Sequence, residues 1–85
     1  MPRSIETAGA GETLDLRGLL GPLTWARTRY ALSKLRAGAE LRVVLDHRPA
    51  VPDLKRNAEE LGDEVVSTRE SLPGVWEMVL RRCGR

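Results

Sequence analysis

The segment LDLRGLLGPLTW, residues 14–25, is where a predicted strand gives way to a predicted helix. Leu14 and Leu16 alternate with polar residues, which is typical of a half-buried strand, here taken as residues 13–17. The Gly-Pro pair that follows indicates a helix start. Gly21 is the expected N-cap, and Pro22 is the first helical residue, a position that needs no backbone N–H. The segment therefore predicts a strand–turn–helix unit with a glycine at the tip of the turn.

The predicted first helix has two different faces, and it is expected to run to about Arg36 and stop at Gly38. The stripe expected to face the core is Trp25, Thr28, Leu32 and Leu35, flanked by Ala31. The opposite face carries Leu23, Ala26 and Tyr30. We expect this second set, with the Leu19–Pro22 turn and a basic rim at Arg27 and Lys34, to form an apolar patch. Such a patch suits a protein partner or a homodimer.

The rest of the chain adds three strands and a second helix. ELRVVL, residues 40–45, predicts a strand parallel to the first through a right-handed crossover. A second helix that stops at Gly62 is predicted from apolar residues at three- and four-residue spacing: Val51, Leu54, Ala58 and Leu61. Asp53 is expected to cap or open this helix. EVVSTRE, residues 64–70, and VWEMVLRR, residues 75–82, predict a hairpin across SLPG.

This β-α-β-α-β-β order predicts a two-layer α/β sandwich. Two helices would cover one face of a four-stranded mixed sheet and leave the other face to solvent. The 85 residues suffice for one domain, taken as residues 13–85 after a loose polar tail of residues 1–12. No apolar run approaches the length of a membrane span, and the N-terminus lacks the apolar region of a secretory signal. A cytoplasmic protein without a membrane partner is therefore expected.

Charge and composition exclude several kinds of site. The formal net charge of +2 is too small to argue for nucleic-acid binding by itself. The single cysteine excludes an internal disulfide and a cysteine-based metal site within one chain. His47 is the only histidine in the sequence, so a catalytic or metal-binding role is not expected. We expect it to be a solvent-facing residue of the turn. No metal and no cofactor is predicted.

From Thr13 to Arg82 the sequence resembles the TusA/SirA family of small bacterial sulfur-carrier proteins. The family signature reads roughly Leu-Asp-x-x-Gly-Leu-x-Cys-Pro-x-Pro. The matching positions are Asp15, Gly18, Leu19, Pro22, Gly38, Asp46 and Asp53, together with the closing WEMVLRR. In the family, the cysteine before the first proline accepts a sulfane sulfur from a cysteine desulfurase and passes it on as a persulfide. A helix N-terminus suits this chemistry because its positive end stabilises a thiolate.

The sequence departs from the signature at its reactive position. Gly21 stands where the family has its cysteine, and Thr24 stands where it has its second proline. Neither residue can carry a persulfide, so the resemblance predicts a non-catalytic binding module or modulator of a sulfur relay. Its partner would be a cysteine desulfurase or a paralogous carrier. The residues expected at that contact are Arg17, Gly18, Leu19, Gly21, Pro22, Leu23, Tyr30 and Asp53.

Two alternatives stay open from the sequence. The chain could be an active sulfurtransferase that uses a partner thiol or Cys83, which lies among arginines that would stabilise a thiolate. It could also be a weak RNA-binding domain, because the family fold resembles the C-terminal domain of a translation initiation factor. No set of aromatic residues for base stacking supports that second alternative.

Overall fold

A computed structural model describes residues 12–83 and confirms the predicted order of elements. The elements are β1 (Glu12–Asp15), α1 (Pro22–Ser33), β2 (Glu40–Leu45), α2 (Ala50–Glu60), β3 (Glu64–Leu72) and β4 (Val75–Arg81). Of the predicted tail, residues 1–11 lie outside the described part, and Glu12 already belongs to β1. Neither helix has the length and apolar character that crossing a membrane requires.

The four strands form one mixed sheet in the order β1-β2-β4-β3. β1 and β2 are parallel, and the other two pairs are antiparallel, with Val43 of β2 opposite Leu14 on one side and Met78 on the other. The parallel pairing places the carboxyl ends of β1 and β2 at the same end of the sheet. The turn into α1 and the loop into α2 therefore both lie at that end, which fixes where a site built on them can be.

The core lies between the sheet and the two helices. Alternate residues of β2 and β4 face the helices and are fully buried: Leu41, Val43, Leu45, Met78 and Leu80. α2 contributes Ala50, Leu54 and Ala58 at the predicted spacing, and Val51 packs partly buried beside them. The apolar period predicted for the second helix is thus confirmed, although the helix begins slightly earlier than the first apolar residue of the predicted run.

The buried stripe of α1 differs from the predicted one. Thr28 and Leu32 are buried as predicted, and Thr24 is buried with them, whereas Trp25 and Leu35 pack against the core only partly buried. Both threonine hydroxyls are satisfied inside the helix: Thr28 Oγ1 donates to the Thr24 carbonyl at 2.7 Å, and Thr24 Oγ1 donates to the Gly21 carbonyl at 2.9 Å. Because these bonds remove the desolvation penalty, two polar residues can line the core.

The end of α1 also differs from the prediction. The helix stops at Ser33, three residues before Arg36, and the chain leaves it through a tight turn. The Arg82 guanidinium reaches across from the end of β4 and donates to three carbonyls there, those of Leu32, Ser33 and Leu35. A cation at a helix C-terminus satisfies the unpaired carbonyls and opposes the negative end of the helix dipole.

Asp53 does not cap α2. The helix begins at Ala50 with Pro49 at the N-cap position and no side-chain cap, so Asp53 lies inside the first turn. Its exposed carboxylate accepts a hydrogen bond from Arg56 at 2.9 Å. Of the two predicted roles, capping is therefore wrong, because the N-cap Pro49 lies four residues earlier, while the position of Asp53 in the opening turn of the helix is confirmed.

The face of the sheet away from the helices carries interlocked ion pairs. Glu77 of β4 binds two arginines, and Arg81 of the same strand binds two glutamates. The groups are Arg42–Glu77–Arg69 and Glu40–Arg81–Glu64, with distances of 2.7–3.0 Å. The hydrogen bond from Arg69, aided by the charge of Arg42, lowers the pKa of Glu77. The charges of this face are thus largely neutralised by one another.

Candidate functional site

The turn between β1 and α1 is fixed to the neighbouring loop by an aspartate. The Gly18 N–H donates to Asp46 Oδ1 at 2.9 Å, and the Leu19 N–H donates to the Leu16 carbonyl at 3.1 Å. Leu16 is buried, so it anchors the start of the turn in the core. Gly18 has φ +88°, a left-handed conformation that favours glycine. Two signature positions, Gly18 and Asp46, thus hold the turn in one place.

Asp15 and Arg17 form a second fixed point at the base of the turn. The guanidinium of Arg17 donates two hydrogen bonds to the carboxylate, at 2.9 Å and 2.8 Å, and the Arg17 N–H donates a third. These bonds lower the pKa of Asp15 to about 2, so the carboxylate stays ionised throughout the neutral range. Arg17, predicted to contact a partner, is therefore bound to Asp15 in a bidentate pair at the exposed edge of the turn.

Gly21 occupies the tip of the turn and is the N-cap of α1, as predicted, with Pro22 as first helical residue. Its backbone angles, φ +59° and ψ −138°, belong to a region that residues with a side chain rarely adopt. A Cβ built there would meet no atom within 4 Å, so the obstacle to a side chain is the backbone conformation and not the available space. The tip of the turn is open to solvent and shaped for glycine.

Placing a side chain at the tip should therefore destabilise the fold. We expect Gly21→Ala and Gly21→Cys each to lower the free energy of unfolding by about 1–2 kcal/mol, because both force a side chain into this backbone conformation. Urea unfolding of both variants measures the loss. If both variants were as stable as the wild-type chain, residue 21 could carry a side chain at no cost. That result would refute the backbone strain expected at this position.

Apolar side chains are exposed both at the turn and along α1, as predicted for Leu23 and Tyr30. Leu20 is 64% exposed, Leu23 is 52% exposed and Tyr30 is 64% exposed. The ammonium of Lys34 lies 4.9 Å from the centre of the Tyr30 ring, a cation–π contact on the helix surface. Leu19 turns the other way and packs partly buried against the core. The exposed patch is therefore defined as Leu20, Leu23 and Tyr30, and the prediction that Leu19 belongs to it was wrong.

Because the patch lies outside the core, its removal should leave the fold intact. We expect the double variant Leu23→Ser, Tyr30→Ser to keep the free energy of unfolding within about 0.5 kcal/mol of the wild-type value. Urea unfolding measures this, with the buried Leu32→Ser as the matched control that should unfold readily. A large loss in the double variant would show that these side chains pack in the core.

The thiol of Cys83 lies at the other end of the sheet. Asp46, which binds the turn, follows β2 at its carboxyl end, whereas the Gly38 N–H at its amino end donates to the Arg82 carbonyl. A strand of six residues separates the two ends by about 17–20 Å. The Cys83 N–H donates to Asp63 Oδ1 at 3.1 Å, and its Sγ lies 3.7 Å from the Arg81 carbonyl.

Two other residues singled out in the sequence, Asp53 and His47, lie at the same end of the molecule as the turn. Asp53 lies in the first turn of α2, which follows the loop of Asp46, so it lies at the same end as the turn. His47 is half-buried in that loop, and its carbonyl accepts a hydrogen bond from the Ala50 N–H. Within residues 12–83 no cluster of metal-ligating side chains is found.

Comparison with known proteins identifies several similar chains. The family model described as sulfurtransferase TusA matches residues 12–82. A protein of Archaeoglobus fulgidus described as a sulfur carrier protein is 37% identical over 73 residues, which cover 86% of this chain and 83% of that protein. Another sulfur carrier by description, from Methanocaldococcus jannaschii, is 40% identical over 62 residues, covering 73% and 83%.

A solved structure agrees with these sequence matches. The crystal structure of a SirA-like protein from Desulfitobacterium hafniense superimposes with a TM-score of 0.76 at 28% sequence identity. The similarity covers 87% of this chain and 99% of that one. The four-stranded mixed sheet with two helices is therefore the architecture of that protein as well.

Proposed function

Because the chain belongs to the TusA sulfurtransferase family, we propose that it takes part in a sulfur relay as a binding module that lacks the persulfide-carrying thiol. Membership of a family of sulfur carriers implies protein partners in sulfur transfer. The module would bind a cysteine desulfurase, or a carrier that has the thiol, and in this way modulate the transfer. The partner surface is the turn and the exposed patch beside it.

The observation that carries this proposal is the residue at the tip of the turn. The resemblance places the sulfur-accepting cysteine at position 21, directly before Pro22, and this chain has Gly21 there. The helix N-terminus that would stabilise a thiolate is present, and its first turn contains no acidic residue. A thiol at this position would lie at a positive helix end with no nearby acidic residue in the first turn, and Gly21 has no sulfur atom to place there.

The position of Cys83 argues against a role as the sulfur-carrying thiol in place of a cysteine at position 21. It follows β4 at the end of the sheet away from the turn, and it lies on no helix N-terminus. A partner that docks at the turn would have to reach about 17–20 Å further to meet it. The proposed function is therefore the binding module. Sulfur transfer at Cys83 is the alternative that an experiment would have to show in order to replace it.

Competition in a reconstituted transfer reaction tests the module. The rate at which a cysteine desulfurase loads a TusA-type carrier that has the motif cysteine is measured with increasing amounts of this chain. We expect the rate to fall, because the two proteins compete for one docking surface. The Leu23→Ser, Tyr30→Ser variant is the matched control, and it should compete much less. An unchanged rate at a large excess of the wild-type chain would refute the proposal.

A further inference from the structure

The charges of the chain are segregated, and α1 is the basic part. Residues 16–39 contain five arginines and lysines and no aspartate or glutamate, although the whole chain carries a net charge of only +2. Within the described residues, none of the four basic side chains of α1 and its C-terminal flank forms an ion pair with a carboxylate. They are Arg27, Arg29, Lys34 and Arg36. On the open sheet face, by contrast, arginines and glutamates neutralise one another.

Two of these cations lie on the wall of a groove between α1 and β1. The groove has a volume of about 660 Å³ and is lined by Glu12, Leu14, Arg27, Tyr30, Ala31 and Lys34. This volume falls within the range of ligand-binding pockets, about 300–1,000 Å³. Its apolar lining residues are Leu14, Ala31 and Tyr30, and Glu12 at the amino end of β1 is the one carboxylate among the described lining residues. Arg27 and Lys34 are seven residues apart on α1, which places their Cα atoms about 10 Å apart along the helix.

One side of the groove is a sheet edge with free backbone groups. Among the described strands, β1 pairs only with β2. The Leu16 N–H donates toward β2, to the Val44 carbonyl at 2.7 Å, and backbone groups alternate in direction along a strand. The N–H and C=O of Thr13 and Asp15 therefore point to the open edge, where they are available to a further strand.

We propose that this edge and groove bind an extended, acidic segment of a partner protein, which adds to β1 as a fifth strand. Two acidic side chains separated by one apolar residue on the same face of the segment span about 13 Å. That spacing brings one carboxylate near Arg27, the other near Lys34, and the apolar side chain between them toward the lining residues Leu14 and Ala31. A second copy of this chain is a poor occupant, because it would bring its own α1 cations against these. The inference goes beyond the proposed function, since it requires neither a thiol nor a desulfurase.

A designed peptide tests the site directly. The probe is a fluorescein-labelled heptapeptide, TETLTET, in which both glutamates and the leucine share one face of an extended strand. Titration followed by fluorescence anisotropy gives its affinity, and amide shifts in NMR spectra show where it binds. We expect saturable binding, with shifts confined to β1 and α1, and at least about tenfold weaker binding of the control peptide TKTLTKT.

Two variants distinguish the contribution of the charges to peptide binding from the contribution of the sheet edge. The double variant Arg27→Glu, Lys34→Glu should weaken binding of TETLTET at least about tenfold. Its matched control is Arg48→Glu, Lys55→Glu, which changes the net charge equally at exposed positions outside the groove and should bind as the wild-type chain does. Thr13→Pro removes an outward N–H without touching the ladder to β2, so it should weaken binding while the domain stays folded.

Several results would overturn this inference. They are failure of TETLTET to bind, equal binding of the lysine control peptide, or equal weakening by the Arg48→Glu, Lys55→Glu control. A single-stranded RNA that binds the α1 cations with strong salt dependence, while the peptide does not, would identify the groove as a nucleic-acid surface. None of these results bears on sulfur loading, so the failure of this inference is distinguishable from failure of the proposed function.

Discussion

Replacing Leu54 by alanine should lower the free energy of unfolding by about 2–5 kcal/mol, a large part of the stability of so small a domain. Leu54 lies in the middle of α2 with none of its surface exposed, packed against the sheet in a core that contains no phenylalanine. The truncation removes buried methyl groups and leaves a cavity that a small domain cannot easily close. Urea unfolding followed by circular dichroism measures the loss.

Leu72→Ala is the matched control for this substitution. Leu72 lies at the end of β3 and is 64% exposed, so the same truncation there should change stability by no more than about 0.5 kcal/mol. Comparable losses at the two positions would contradict the assignment of the core to the space between α2 and the sheet. If the Leu54→Ala variant does not fold at all, Leu54→Val, compared with Leu72→Val, keeps the comparison measurable, since it removes only one buried methylene group.

Replacing Arg82 by methionine should lower the free energy of unfolding by about 1.5–3 kcal/mol. Methionine keeps much of the side-chain stem but removes the donors that bind the carbonyls at the end of α1. In NMR spectra, hydrogen exchange should accelerate first in the last turn of α1, where the fixed end is lost. Arg48→Met, at an exposed position, is the control and should be nearly neutral. Unchanged exchange at the end of α1 would refute the capping role.

The sequence predicted the elements well where the signal was local. The strand alternation, the Gly-Pro helix start and the spacing of α2 each depend on neighbouring residues, and the structure confirms all three elements, although β1 ends at Asp15 and not at the predicted Arg17. The end of α1 was wrong because its cap comes from Arg82, about fifty residues later in the chain. No local pattern could have revealed a contact of that range.

The buried stripe of α1 was misplaced for a different reason. Thr28 and Leu32 are buried as predicted, but hydrophobic periodicity favoured Trp25 where the structure buries its neighbour Thr24, whose hydroxyl bonds to the Gly21 carbonyl. Apolar spacing cannot show that a polar side chain will be satisfied within its own helix. The exposed face, with Leu23 and Tyr30, was nevertheless predicted correctly, because a shift of one residue leaves the opposite face outside.

The sequence identified the residues of the candidate site but not their contacts or backbone conformation. The signature residues located the turn, and the structure adds the bond from Gly18 to Asp46 and the backbone conformation of Gly21. The charge segregation is visible in the sequence, where residues 16–39 contain no acid. That the cations of α1 lie beside the free edge of β1 could not be predicted from the sequence. It follows from the strand order, which places β1 at the edge of the sheet.

The most direct measurement is the intact mass of the wild-type chain after incubation with a cysteine desulfurase and cysteine, alongside the variants Gly21→Cys and Cys83→Ser. We expect the wild-type mass to stay unchanged and the Gly21→Cys variant to gain about 32 Da, one sulfur atom, on part of its molecules. A gain of about 32 Da on the wild-type chain that disappears in Cys83→Ser would contradict the proposal and make Cys83 the carrier thiol.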